Sequence, residues 1–466
     1  MSFSYYNPVQ IHFDVDILES LRNLAENELS SKRILLVTSK SFNKHSACGT
    51  ISAESSKIAQ SLTSSKLNRD FFDNHQTSTT ILECQDSNTI SLIQDARIAD
   101  SNNTESANQD SNACHTEREL VSQILDSNPA ESKRANLAQN IAKIFSNIII
   151  YDSVNPNPQL ESLQSARAKI QGHYDVVIAL GGGSVLDSAK FFALQNEIVV
   201  NNGSLEIVGE AKAMPLFACP STAGTGSELT QWATIWDSKA NIKYSLSHKC
   251  LYPQIAFYDI TLLLSLPLNL SIHTTLDSLS HAIESIWNKN ANPISTQYAK
   301  AAIELILENL PPLYEMLTSL DSKDCTLNTA DSRKSTQETT QNLRRNLALA
   351  CIQSALSFSN TQTALAHAIS YPITMRFGVP HGLACSFTLP ILLDCISDKN
   401  ADSILRPYKQ RIKNLFKTLH ISSNPRDYGL DSTMIEDIFN SLNARAKNGL
   451  LDVAKTKKRM LSLLWQ

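Results

Sequence analysis

The run YDVVIALGGGSVLDSAK, residues 174–190, constrains the fold most. A short apolar stretch ends in three glycines and leads straight into a segment that suits a helix. Continuous rather than alternating apolar residues read as a strand covered on both faces, as in a parallel sheet with helices on each side. Glycines let the backbone turn tightly and approach a ligand closely. The helix that follows would offer free N–H groups and a positive dipole end to an anion. Gly181, Gly182, Gly183 and Ser184 are therefore candidates to cradle a pyrophosphate, with a plain Gly-rich helix cap as the alternative. The run is neither G-x-G-x-x-G nor a Walker A loop, because no Gly-Lys-Ser/Thr follows.

Two earlier stretches repeat the strand pattern: RILLVTS (33–39) and SNIIIYDSV (146–154). Residues 161–171 have helical character, so strand, helix, strand and glycines follow in the α/β order. From about residue 262 the strand signals fade. TLDSLSHAIESIW (275–287), TQYAKAAIELILENL (296–310) and LRRNLALACIQSALSF (343–358) carry apolar residues at three- and four-residue intervals, the mark of amphipathic helices. The expected organisation is an α/β dinucleotide-binding domain over 1–261 and an all-α domain over 262–466. Within the first, residues 46–139 read as a disordered insertion. Its core, IADSNNTESANQDSNACHTE (98–117), has too few large apolar residues to offset its ordering entropy. Residues 319–341 read as a second, looped insertion.

The chain has 466 residues, enough for two buried cores. A net charge of −4 argues against a nucleic-acid or anionic-membrane binder. No apolar run approaches the roughly 20 residues that span a bilayer. The start, MSFSYYNPVQIHFDVD, lacks the basic and apolar regions of a secretory signal. Nine scattered cysteines without a C-x-x-C pair suit a reducing cytoplasm.

A second loop, PSTAGTGSELT (220–230), carries the hydroxyls of Ser221, Thr222, Thr225, Ser227 and Thr230. Alone it could be a turn-rich loop; with the first, it could clasp a dinucleotide from two sides. Asp277 and His281 stand four residues apart in a predicted helix, on one face. His367 and His381 would complete one carboxylate oxygen and three imidazole nitrogens, a set that suits Fe2+ or Zn2+. The alternative is an exposed Asp–His pair and two unrelated histidines.

GGGSVLDSAK, STAGTGSELT, DSLSHAIE and His367 followed by Pro380-His381-Gly382, in this order, resemble the iron-containing (group III) alcohol dehydrogenases. The resemblance covers nearly the whole chain apart from the two insertions. It implies a Rossmann-like dinucleotide-binding domain, a helical metal domain and a cleft between them. Glycerol dehydrogenases and dehydroquinate synthases have similar folds. It further implies Asp277, His281, His367 and His381 as metal ligands. Gly181, Gly182, Gly183, Ser184 and Asp187 would hold NAD(P)H, with Thr222, Thr225 and Ser227 from the second loop. The ion would polarise an aldehyde carbonyl while the nicotinamide carries the hydride. A homodimer is the family expectation.

The chain departs from the family pattern twice. Ser39 stands where many members have an Asp that repels a 2′-phosphate, and Lys40 follows it, so NADPH is expected to be accepted alongside NADH. Tyr371 stands where many have a second histidine. Its hydroxyl could orient substrate or pass a proton, although at a pKa of ~10 it is a poor base unless perturbed; otherwise it is an aromatic wall. YYNPV, AHAISYPIT and GVPHGLACSFTLP are similar to the phosphonoacetaldehyde reductase branch, which implies reduction of phosphonoacetaldehyde to 2-hydroxyethylphosphonate. Arg376 is then the nearest candidate along the chain to partner the phosphonate, with a solvated surface charge as the alternative. Lys243 comes second and reads rather as a solvated surface charge. Rival readings are a general short-chain alcohol or diol dehydrogenase, a dehydroquinate-synthase-like lyase and an inactive metal-binding protein.

Overall fold

The computed structural model describes residues 3–43, 79–83, 89–94, 134–201, 203–240, 242–321, 330–442 and 444–465. In chain order the first part runs β1 (Gln10–Phe13), α1 (Ile17–Asn27), β2 (Ile34–Val37), β3 (Thr79–Glu83), β4 (Thr89–Gln94), α2 (Leu137–Ala142) and β5 (Ile148–Tyr151). It continues with α3 (Leu160–Ile170), β6 (Val176–Gly181), α4 (Gly183–Ala193), β7 (Ile198–Asn201), β8 (Ser204–Ile207), β9 (Leu216–Pro220), β10 (Trp232–Asp237), β11 (Ile242–Ser247) and β12 (Ile255–Tyr258).

The main sheet has the order β1-β12-β9-β6-β2-β5-β4-β3, parallel except for the antiparallel β3–β4 edge. Ile34, Leu35, Leu36 and Val37 are all buried, which explains the unbroken apolar run. Alternate side chains serve opposite layers. Ile34 and Leu36 pack with Ile17 and Leu21 of α1 and Ile141 of α2. Leu35 and Val37 pack with Leu163 of α3 and Leu186 of α4. Strand order reverses between β2 and β6, so the crevice beyond their C-terminal ends is where an α/β sheet binds ligands.

The helical part comprises α5 (Leu268–Ile286), α6 (Pro293–Asp321), α7 (Ala330–Thr361), α8 (Leu365–Phe377), α9 (His381–Ser386), α10 (Leu389–Leu392), α11 (Lys399–Thr418), α12 (Ser432–Asn440) and α13 (Val453–Leu463). Its core gathers around α5, whose residues from Thr275 to Ile286 are all buried. The amino-terminal segment ties the two parts together. Tyr5 Oη donates to the Leu356 carbonyl at 3.0 Å and Asn7 Nδ2 to that of Leu229 at 2.8 Å. Among the described residues, no helix is long and apolar enough to cross a membrane.

Both expected insertions need correction. Strands β3 and β4 lie inside 46–139 and extend the sheet, and α2 begins before 139. The Asn/Ser-rich run 98–117 lies outside the described residues. Of the expected loop 319–341, residues up to 321 belong to α6 and those from 330 to α7.

Candidate metal and cofactor cleft

Three helices supply the polar cluster. On α5, Asp277, His281 and Glu284 share one face, because offsets of four and seven residues return to the same side of a helix of about 3.6 residues per turn. All three are buried, as is His367 on α8. His381 opens α9, with Cys385 one turn further. Asp277 is the hub. Its Oδ1 lies 3.3 Å from His367 Nε2, 3.8 Å from His281 Nδ1 and 4.0 Å from His381 Nε2, and it accepts from Cys385 Sγ at 3.3 Å. The possible ligand atoms of Asp277, His367, His381 and Cys385 lie within 4.8 Å of one another. His281 stands at the margin of this group, its ring stacked 4.0 Å from Phe358 and 4.3 Å from His367.

Electrostatics put Asp277, His281 and His381 in the states a cation needs, whereas His367, against the effect of burial, is held well above its ordinary value by Cys385, Glu284 and Asp277 and gives up a proton when it ligates. Burial pushes the Asp277 carboxyl up, but His281, His367 and His381 together hold it well below the usual carboxylate range. Burial drives His281 well below its ordinary value, and His381 down to about 3, despite the pull of Asp277. One ionised carboxylate and two neutral imidazoles are ready-made ligands. Nδ1 of His281, the nitrogen that faces Asp277, is buried without a hydrogen-bond partner, a cost that an electron-pair acceptor at this centre would offset. The donor set of O, N and S atoms fits a borderline divalent ion such as Fe2+ or Zn2+.

Glu284 fixes the third imidazole. Its carboxylate accepts the Nδ1–H of His367 at 2.7 Å, and the backbone N–H groups of Ala364 at 2.8 Å and Ala366 at 2.6 Å. One buried anion thus caps the start of α8 and turns His367 Nε2 toward Asp277. Gly382 is required by close approach: a Cβ there would lie 1.9 Å from the carbonyl oxygen of His273 on α5. This is the physical content of the Pro-His-Gly triplet.

On the opposite side, the two loops interlock. Ser221 N–H donates to the Gly181 carbonyl at 3.0 Å, and a Cβ on Gly183 would meet Thr225 at 2.6 Å. Ser227 Oγ donates to Asp187 Oδ1 at 2.6 Å, and Asp187 Oδ2 accepts Thr234 N–H at 2.9 Å. The buried ammonium of Lys190 donates to the carbonyls of Ser227 and Trp232 at 2.6 Å each and to Ser227 Oγ at 2.9 Å. Asp187 and Lys190 therefore tie α4 to the second loop. Ser39 lies just beyond β2, its Oγ 2.9 Å from Ser41 Oγ.

A cavity of ≈ 210 Å³ joins these halves. Gly183, Ser184, Asp187, Thr225, Ser227 and Thr230 line one end, and Asp277, His281, His367, Tyr371 and His381 the other. Gly181, Gly182, Ser221, Thr222 and Ser39 lie outside this lining. Its side wall is the β10–β11 hairpin. Alternation sends Trp232, Thr234, Trp236, Lys243 and Ser245 into the cavity, and Ala233, Ile235, Tyr244 and Leu246 into the core. Tyr371 stacks on His381 at 5.9 Å and 13°.

Two expectations change. Arg376 is exposed and lies off the cavity, because nine residues at about 100° each carry it to the face of α8 opposite His367. Lys243 is not a surface charge: its Nζ lies 3.4 Å from the Tyr371 ring centroid. The period-two pattern of IKYSLS was the available signal. Arg445, in the short helical turn Ala444–Asn448, also lines the cavity, and nothing in its local sequence pointed there. Glu284 and Cys385 were missed as well, although offsets of seven from Asp277 and four from His381 place them on the ligand faces.

Comparison with known proteins agrees with this geometry. The family pattern described as iron-containing alcohol dehydrogenase matches residues 116–260, and that of the C-terminal part of the same family matches 271–331 and 326–460. Alcohol dehydrogenase 4 of Saccharomyces cerevisiae is 30% identical over 250 residues, 52% of this chain and 59% of that protein. Long-chain-alcohol dehydrogenase 1 of Geobacillus thermodenitrificans is 32% identical over 256 residues, 53% of this chain and 58% of that protein. The chain thus matches less than two thirds of the length of these relatives. The crystal structure of sulfoacetaldehyde reductase from Bifidobacterium kashiwanohense with NAD+ superposes with a TM-score of 0.66 at 20% identity, covering 99% of both chains. That of a 1,3-propanediol oxidoreductase gives 0.67 at 18%, covering 99% of this chain and 100% of the other. These likenesses establish the fold. With its α/β part and its helical part both matched, this chain belongs to the iron-containing alcohol dehydrogenase family.

Proposed function

We propose that the chain is a metal-dependent NAD(P)H oxidoreductase that reduces a small aldehyde to a primary alcohol, with phosphonoacetaldehyde as the best candidate. One observation carries this reading: a single cavity runs from the N-terminus of α4 to the Asp277 cluster. A dinucleotide entering past Gly183 and Ser184 would bring its reactive ring toward that cluster.

Asp277, His281, His367 and His381 would hold the ion, with Glu284 orienting His367. A divalent ion there supplies Lewis-acid polarisation of the carbonyl oxygen. NAD(P)H supplies the hydride. Phe358, stacked between His281 and Trp232, gives the cluster an apolar side wall. Tyr371 Oη accepts from Arg445 Nη1 at 3.4 Å. Burial pushes this phenol up, but Lys243 and Arg445 draw it down to about 7, so Oη can hold or release a proton near neutral pH. Ser39, in place of an acidic residue beyond β2, supports acceptance of NADPH. The thiols of Cys219, Cys351 and Cys385, buried and unpaired, suit a reducing cytoplasm.

A general short-chain alcohol or diol dehydrogenase is the second reading, supported by the apolar wall of Trp232, Trp236 and Phe358 and by the names of the matched relatives. The deciding experiment is oxidation of NADH and NADPH by the metal-reconstituted protein over a panel of phosphonoacetaldehyde, sulfoacetaldehyde and propanal. Turnover that requires metal is expected. Absence of turnover with every aldehyde would defeat the reading, and equal rates across the panel would favour the general enzyme.

A further inference from the structure

The cavity holds two cations, one from the α/β part and one from the helical part. Lys243 comes from β11, on the cavity face of the hairpin and paired across it with Trp236. Its ammonium faces the ring of Tyr371 at 3.4 Å and that of Trp236 at 5.6 Å. Arg445 comes from the helical part. Its Nη2 donates to Ser245 Oγ at 2.7 Å and its Nη1 to Tyr371 Oη at 3.4 Å. Both cations therefore converge on Tyr371. Burial and, to a lesser degree, Arg445 pull the Lys243 ammonium below its ordinary value while Tyr371 supports it, and an anion bound beside both cations adds to that support. Guanidinium matches a tetrahedral oxyanion with two parallel N–H groups, and ammonium adds a compact point charge.

We infer that Lys243 and Arg445 clamp a tetrahedral oxyanion on the substrate, so the substrate class is short aldehydes with a phosphonate or sulfonate opposite the carbonyl. The inference rests on the aldehyde-reductase reading and deepens it. Lys243, Tyr371 and Arg445 line the same cavity as Asp277 and His381, so a molecule whose oxyanion sits at the clamp stays in one cavity with the cluster. Ser245 pairs across the hairpin with Thr234, whose N–H meets Asp187, so the clamp borders the cofactor side of the cavity. Its two jaws sit on different parts of the chain, and a bound anion would draw them together.

The test measures binding apart from turnover. Ethylphosphonate, which has no carbonyl, is titrated against the metal-reconstituted protein, with the fluorescence of Trp232 and Trp236 in the wall as readout. Loss of a charged hydrogen-bonding partner is expected to weaken binding by at least about tenfold in Lys243→Met and in Arg445→Gln. Arg376→Ala should bind as wild type does. Ethanesulfonate and propionate in parallel distinguish a dianion seat from a monoanion seat or a planar carboxylate seat. In turnover, the KM for phosphonoacetaldehyde should rise in both variants by at least about tenfold more than the KM for propanal, whatever change in kcat the altered Tyr371 brings to both substrates. Thermal unfolding midpoints confirm that the variants are folded. Ethylphosphonate binding that survives both substitutions, or an equal loss for propanal and phosphonoacetaldehyde, overturns the clamp. If ethylphosphonate binds with the expected pattern but no aldehyde turns over, the clamp stands and the reductase reading falls. If propanal turns over and ethylphosphonate does not bind, the reverse holds.

Discussion

Glu284 reaches across from α5 to α8 and holds His367 at both ends of its residue, accepting the imidazole Nδ1–H at 2.7 Å and the backbone N–H at 3.3 Å. Replacing Glu284 by Gln keeps the shape and removes the charge. Outer partners of this kind typically set 10–100-fold in metal affinity, so a loss of about that size is expected in a competitive chelator titration. Wild-type affinity in Glu284→Gln would show that the contact is only structural.

Ligand identity can be separated from mere proximity. Burial pushes the Cys385 thiol up to about 11, and it donates its proton to Asp277. Cys385→Ser is therefore expected to retain the metal, whereas His281→Ala and His367→Ala lose both metal and turnover. The Co2+-loaded protein should show no thiolate-to-metal charge-transfer band. Such a band, or loss of metal from Cys385→Ser alone, would replace His281 by Cys385 in the ligand set.

Tyr371 offers a pH signature. Its hydroxyl is drawn to about 7 from an ordinary 10.0, against the effect of burial, by Lys243 and Arg445. The folded protein therefore releases this proton before the unfolded chain does. The resulting stability accumulates as pH rises from about 7 toward 10 and is lost as pH falls through 7. Near-ultraviolet absorbance should report a phenolate forming near neutral pH that Tyr371→Phe abolishes and Lys243→Met shifts upward. An unchanged titration in Lys243→Met would refute the electrostatic cause.

Cofactor choice should turn on Ser39. Introducing a carboxylate by Ser39→Asp is expected to lower kcat/KM for NADPH and to spare NADH, since a fixed anion would face the 2′-phosphate. Parallel losses with both cofactors would place the adenosine elsewhere.

Lys190 is a stability prediction. Lys190→Met removes the ammonium that binds two carbonyls and Ser227 Oγ, and leaves Asp187 without its nearest cation. Breaking a buried network of this kind costs about 3–5 kcal/mol, so the thermal midpoint should fall by several degrees. A midpoint equal to wild type would mean that the loop holds without it.

The parts of this architecture that show in the sequence are those where one residue type answers one physical demand. Ile34 to Val37 had to be apolar throughout because both faces of β2 are covered. Asp277 and His281 show by their helical spacing. Strands β3 and β4 do not show, because a compositional average over 46–139 hides five- and six-residue segments whose pairing is decided by β5. Arg376 misleads for a different reason: nearness along the chain is not nearness around a helix. Asp187 and Ser227 read as cofactor ligands because their types suit the task; the sequence did not show that they also bond to each other while lining the cavity. Arg445 is beyond any local reading, since only the packing of a distant turn against α8 brings it to Tyr371.

The hairpin wall separates two kinds of mutational freedom. Substitutions at Trp232, Thr234, Trp236, Lys243 or Ser245 alter what the cavity accepts, while the opposite face, with Ala233, Ile235, Tyr244 and Leu246, keeps the strand pair anchored. Lys243 is a member of the first set that reaches the helical part, at the ring of Tyr371 on α8. A chain built this way can exchange one substrate for another by rewriting alternate letters of two short strands, and leave the Asp277 cluster and the folding of the hairpin in place.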